Sequence, residues 1–115
     1  MRIIDTIYIN GSFVQPHGRE EAPLFNPATE QQIGIVRLGD EQDVDNAVSA
    51  AKAAFAGLSH SSKADRIAIL QSLHDAVAAR ASDLTDAMRE EYGAPAPFIG
   101  FSVPHAATSF LQMAK

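Results

Sequence analysis

Cysteine is absent from all 115 residues. Disulfide frameworks are therefore excluded, and so is any reaction that this chain would run through its own thiolate. Positive charge is scarce as well. Nine Lys and Arg stand against fourteen Asp and Glu, giving a formal net charge of −5 and a pI near 5.2. The basic residues are scattered, so no local stripe suits a phosphate backbone or an anionic membrane surface. No apolar run approaches the roughly 20 residues that span a bilayer. The opening Met-Arg-Ile-Ile-Asp-Thr breaks to Asp5 before a signal-type segment develops. The expectation is a soluble, cytoplasmic protein with neither nucleic acid nor membrane as partner. A glycine-rich phosphate loop, a Gly-x-Ser-x-Gly elbow and a Ser/His/Asp constellation are also missing. His17, His60, His74 and His105 share no metal-ligand spacing. His74 reads as a half-buried face residue.

What is present is the balance of one globular domain: 46% apolar residues, 20% charged, and six Phe with two Tyr as bulky core material. Ile7-Tyr8-Ile9, Asn10-Gly11 and Ser12-Phe13-Val14 form a hairpin signal, because both turn residues tolerate positive φ. Gln15 to Glu21 is polar, contains Pro16 and Gly18, and reads as a loop. Leu24-Phe25 predicts a short strand ending at the Asn26-Pro27-Ala28-Thr29 turn. Ile33 to Leu38 is its partner, with a possible bulge at Gly34.

Three amphipathic patterns follow. In the first, Asp40 caps a helix with Asp43 in its first turn. Val44, Ala47, Val48, Ala51, Phe55 and Leu58 lie on one face, and Gly57 with Ser59–Ser61 ends it. The second predicts one long helix from Ser62 to Pro95. Its stripe is Ile67, Leu70, Leu73 or His74, Val77, Ala81, Leu84 and Met88, capped by Ser62 with Asp65 and closed by a left-handed Gly93. In the third, Phe98, Phe101, Val103, Ala106, Ala107, Phe110, Leu111 and Ala114 recur at helical spacing, and the three Phe read as core. Pro104 predicts a break near Ser102–Val103 or a helix that starts there. The fold class expected is α+β: two N-terminal β-ribbons over residues 1–39, then three amphipathic helices over 40–115. Glu90-Glu91 sit in the last turn of the long helix, where the dipole disfavours negative charge. They read either as a solvated acidic pair or, for Glu91, as a carboxylate turned inward toward a cation.

A series of short motifs occurs in order at close spacing. Tyr8-Ile9-Asn10-Gly11 comes first, then Phe25-Asn26-Pro27-Ala28-Thr29 and Ile33-Gly34. Asp43-Val44-Asp45 with Ala47-Val48, Ala50-Ala51 and Ala54-Phe55 follows, then Arg66, Leu70 and Glu91-Tyr92-Gly93-Ala94-Pro95. Each is weak alone, but the ordered set resembles the N-terminal segment of the NAD(P)-dependent aldehyde dehydrogenase superfamily over essentially the whole chain from Tyr8 onward. Glu30 departs from the family's usual Gly, Ala94 from a frequent Lys and Tyr92 from a frequent Met.

The resemblance implies an enzyme with a Rossmann-like cofactor domain, a catalytic domain and an oligomerisation ribbon. A Cys attacks the aldehyde, hydride passes to NAD or NADP, and a Glu activates water for thioester hydrolysis. This chain carries none of those catalytic residues, so it is expected to be part of the cofactor domain, with the catalytic domain absent. No NAD or NADP is expected to bind it alone. Two lesser roles carry over by position. A cation in several members is held by a backbone carbonyl, matching Leu24 or Phe25, and by an acid, matching Glu91. The aldehyde entrance is lined by the last helix, at Ser102 and Ala106, whose small size implies a wide mouth.

The third apolar pattern is still running at Lys115, which suggests an N-terminal fragment or truncated gene product whose partner is the missing remainder of the enzyme. The alternative is a non-catalytic helical interaction protein that associates with itself or with an intact homologue.

Overall fold

The first strand carries no turn signal and no alternation. Arg2–Ile4 forms β1, followed by β2 (Ile7–Ile9), β3 (Ser12–Val14), β4 (Glu21–Phe25) and β5 (Gln32–Arg37). The computed structural model describes residues Met1–Lys115. They form two compact units, one of Met1–Phe25 with Glu30–His60 and one of Asn26–Thr29 with Ser61–Lys115.

In the first unit, β2 and β3 pair antiparallel across Asn10-Gly11, whose φ angles of 53° and 81° are those of the tight hairpin turn. β4 and β5 also pair antiparallel, as expected, but β1 joins β5 in parallel and makes a three-stranded sheet of order β1-β5-β4. Gly34 is required here. A Cβ on it would lie 2.6 Å from the carbonyl oxygen of Arg2, its partner in β1. The register irregularity falls beside it: Leu24 opposes Gly34 but Phe25 opposes Gln32, leaving Ile33 as the extra residue. Glu30, where the resemblance expects glycine, takes a left-handed φ of 58°.

α1 (Glu41–Leu58) opens on a capping box: Asp40 accepts from the Asp43 amide and Asp43 from the Asp40 amide. It ends as expected at Ser59, whose hydroxyl donates to the Ala56 carbonyl at 3.1 Å. Its alanine flank, Ala47, Ala50 and Ala54, faces β2 across a shallow groove. The apolar stripe exists but is uncovered, with Val44 61% and Phe55 65% exposed.

The second unit is helical. The expected single helix from Ser62 to Pro95 is instead three pieces: α2 (Lys63–Ala79), α3 (Ala81–Ala87) and a wide π turn over Met88–Tyr92. The break is at Arg80, whose backbone (φ −106°, ψ 16°) leaves the helical region while its amide bonds Val77 in a tightened turn. Neighbouring residues include no Gly or Pro, so local propensity does not announce it. The covered face nevertheless continues across the break. Ile67, Leu70, His74 and Val77 are half-buried on α2, and Ala81 and Met88 carry the expected stripe on, with Thr85 in place of Leu84. Leu84 and Leu73 are exposed. Ser62 caps α2 as expected, its amide also bonds Asp65 to complete a capping box, and Gly93 closes the π turn at φ 68°. A side chain at Gly93 would meet the Pro27 ring at 2.5 Å. That ring belongs to the turn in which Asn26 accepts from the Ala28 and Thr29 amides.

α4 (Ala96–Gln112) runs through Pro104 without a break, correcting the expectation of a break or a start there. Pro104 and Gly100 lie on the exposed side, so the carbonyl that loses its amide partner is left to water. Ile99, Val103 and Ala107, at successive i+4 steps, are buried in the packing of α4 on α2. Phe98 and Phe101, expected in the core, are exposed, while Phe110 is half-buried.

Candidate functional site

Helix N-termini are where a chain of this kind would offer amides to a phosphate. Here they are filled. At α1, Asp43 is only 6% exposed and accepts from three backbone amides: His17 at 2.8 Å, Asp40 at 2.9 Å and Gly18 at 3.0 Å. The His17 amide above all, with those of Asp40 and Gly18, holds its carboxyl down at about 2 against the opposing effect of burial. His17 also turns its ring nitrogen to Asp40. At α2, the Ser62 hydroxyl and amide both donate to Asp65, which lowers its carboxyl in the same sense. α4 begins behind Pro95 and has Pro97 in its first turn, and neither residue has an amide hydrogen to donate.

Three of the seven glycines are committed to close backbone or ring contacts. Gly18 lies against the Leu38 carbonyl, Gly34 against Arg2 and Gly93 against Pro27. A pyrophosphate would meet carboxylates at the N-termini of α1 and α2.

The residues expected at sites are placed as follows. Leu24 is half-buried in β4, in the first unit, opposite Gly34. Phe25 beside it is exposed. Glu91 belongs to the second unit, half-buried in the π turn, where the Gly93 amide reaches back to the Met88 carbonyl at 3.0 Å. That geometry is uncommon and recurs at functional positions. His, Asp and Glu form no group of three that could hold a metal ion. Ser102 and Ala106 do come together, one turn apart on α4, with Ser102 half-buried and Ala106 exposed.

Beside them runs an aromatic row that sequence reasoning missed. Tyr92 and Phe98 lie with ring centroids 6.5 Å apart, and Phe101 stacks on His105 at 5.1 Å. The spacing of Phe98, Phe101 and His105 is the same as that of a core face, so periodicity gives no signal to separate them. Also missed was a concavity of about 590 Å³ in the first unit, lined by Ile9, Asn10, Ser12, His17, Asp43 and Asn46. Its one carboxylate is already spent on backbone amides.

The profile of the aldehyde dehydrogenase family matches residues 13–115. A 3-succinoylsemialdehyde-pyridine dehydrogenase from a Pseudomonas species is 42% identical over 95 residues, covering 83% of this chain and 20% of that protein. The chain thus spans about a fifth of the length of the curated relatives it matches. Aldehyde Dehydrogenase C from Pseudomonas syringae, solved as a mutant with NAD+ and octanal, superposes with a TM-score of 0.85 at 34% identity. The match covers 93% of this chain and 22% of that one. An aldehyde dehydrogenase from Bartonella henselae gives a TM-score of 0.92 at 24% identity, over 99% of this chain and 24% of its own, a likeness of fold.

Proposed function

Because this chain belongs to the aldehyde dehydrogenase family, we propose that it is the N-terminal portion of an enzyme that oxidises an aldehyde to a carboxylic acid with NAD or NADP, and that it does not run the reaction alone. The observation that carries this reading is the 42% identity to a semialdehyde dehydrogenase across a fifth of that enzyme's length. Two features of the chain support the second half of the reading. It has no cysteine to act as nucleophile, and its helix N-termini are occupied by Asp43 and Asp65. Its contribution is then architectural. The α2–α4 pair presents Ser102 and Ala106 as small side chains at the aldehyde entrance, and Glu91 offers a carboxylate suited to a hard cation.

The test is a chimera in which residues 13–115 replace the matched segment of the Pseudomonas syringae enzyme. Octanal-dependent reduction of NAD is expected from the chimera, and none from the 115-residue chain. Saturable, stoichiometric NAD binding by the chain alone in calorimetry would overturn the reading, as would turnover. A second reading is a non-catalytic interaction protein that associates with itself or an intact homologue. The uncovered stripe of α1 favours it, and it predicts a folded but inactive chimera.

A further inference from the structure

The chain has three asparagines, at positions 10, 26 and 46. An asparagine side-chain amide is open to attack by the backbone nitrogen of the residue that follows it. Asn26 faces no such nucleophile, because Pro27 has no amide hydrogen, and its side-chain oxygen is held by the Ala28 and Thr29 amides. Asn46 lies inside α1, where the Ala47 amide is committed to the helix and the Asn46 side-chain oxygen accepts from Gln42 at 3.1 Å. Asn10 differs on each count. It is exposed, glycine follows it, and its side chain makes no hydrogen bond within the chain. The ladder ends at the Ile9–Ser12 pair, which leaves the Gly11 amide outside it. β2 and β3 have three residues each and pair only with one another, and every residue of β3 is exposed. A two-stranded ribbon of that size opens readily.

We propose that Asn10-Gly11 is a site of spontaneous deamidation, a covalent modification that replaces the hairpin turn with an aspartyl or isoaspartyl linkage. When the ribbon opens, Asn10 leaves its left-handed φ of 53° and the Gly11 nitrogen reaches the side-chain carbonyl carbon. Glycine leaves that nitrogen unshielded, since it carries no Cβ. The nitrogen gives its proton to solvent base and bonds to Cγ. The Cγ–Nδ2 bond breaks, and ammonia departs with a proton taken from water. The five-membered imide then takes up one water. Opening at Cγ gives aspartate, and opening at the backbone carbonyl gives isoaspartate, through whose side chain the backbone now runs. Both products place a negative charge at the turn. The isoaspartyl form also lengthens the backbone by one methylene, so the two-residue turn no longer closes and the β2–β3 register is lost.

The reaction uses only water and atoms of this chain, so it stands whether or not the chain belongs to a working dehydrogenase. The test is incubation of the 115-residue chain in mildly alkaline buffer made with heavy-oxygen water, followed by trypsin. Cleavage after Arg2, Arg19, Arg37 and Lys52 puts the three asparagines in separate peptides. The peptide of residues 3–19 should gain the mass of one deamidation with one heavy oxygen, localised to residue 10 and divided between aspartate and isoaspartate. The peptides carrying Asn26 and Asn46 should not change. Asn10→Gly keeps a residue pair suited to the same turn and should abolish the gain. A residue 10 that stays amidated overturns the proposal, as does conversion of Asn26 or Asn46 at the same rate. Aspartate with no isoaspartate overturns it too, because direct hydrolysis then replaces the imide.

Discussion

The strand-built unit buries Pro16, Gly18, Gly34 and Asp43 and no aliphatic or aromatic side chain, whereas the helical unit buries Ile99, Val103 and Ala107 and no charged group. One is held by directional bonds that converge on a carboxylate and by backbone pairing. The other is held by close packing along one helix seam. The two kinds of interior respond to different insults. Packing is sensitive to volume and indifferent to pH, while a carboxylate gathering backbone amides is sensitive to protonation and to any atom that shifts those amides.

That contrast can be broken most forcefully in the helical unit. Ile99→Ala should cost ~3 kcal/mol in urea unfolding, because the two-helix seam has few other buried side chains to close the cavity. Amide exchange should show the loss in α2 and α4, with the His17 and Gly18 amides unchanged. Gly18→Ala is the converse. The new methyl runs into the Leu38 carbonyl oxygen, a backbone atom that itself belongs to a paired segment. A loss of ~2 kcal/mol is expected, read as faster exchange at Asp40 and His17 with α4 undisturbed.

Two smaller changes sharpen the comparison. Glu30→Gly relieves a left-handed backbone in the strand-built unit and should raise its stability by ~1 kcal/mol. Ser62→Ala removes a cap in the helical unit and should lower its stability by ~1 kcal/mol, with fraying confined to the first turn of α2.

The last test leaves neutral stability untouched. The Asp43 carboxyl is depressed to about 2 by the His17, Asp40 and Gly18 amides. Its contribution is therefore complete above the ordinary carboxylate value near ~4 and is lost as pH falls from there toward about 2. An acid titration followed by amide shifts should show His17 and Gly18 moving through that window. In the helical unit only Asp65 and Asp75, both exposed, are lowered, by Ser62 and by His74 with Gln71 respectively. Core signals of Ile99 and Val103 should stay put until global unfolding. Asp43→Asn should abolish the His17 and Gly18 response, since the amide has no proton to take up in that range.

What the chain discloses before folding depends on how local the cause is. Asn10-Gly11, the two capping boxes, the Asn26 turn and the Gly93 closure are each decided within a few residues, and all are visible in the residue order. β1 is not, because its partner lies in β5 and only the space beside Gly34 admits it. The kink at Arg80 depends on packing and not on a breaker residue, so a continuous periodicity runs straight through it. α4 shows the limit of periodicity most clearly: Ile99 was overlooked and Phe98 and Phe101 misassigned, because two adjacent stripes both recur at helical spacing. Among candidate site residues, Ser102 and Ala106 share a turn for reasons of spacing alone. The role of Asp43 as a collector of distant amides is not contained in its neighbours, since His17 and Gly18 arrive from another part of the chain.

The parallel seam between β1 and β5 also sets an order of assembly. On a growing polypeptide Arg2–Ile4 emerges before its partner, and it has nothing to pair with until Gly34–Val36 has been made. The β4–β5 hairpin closes over a short loop and forms early, whereas β1 must wait and then return across a much longer one. A strand made ahead of the rest of its sheet is thus among the last of that sheet to find its place.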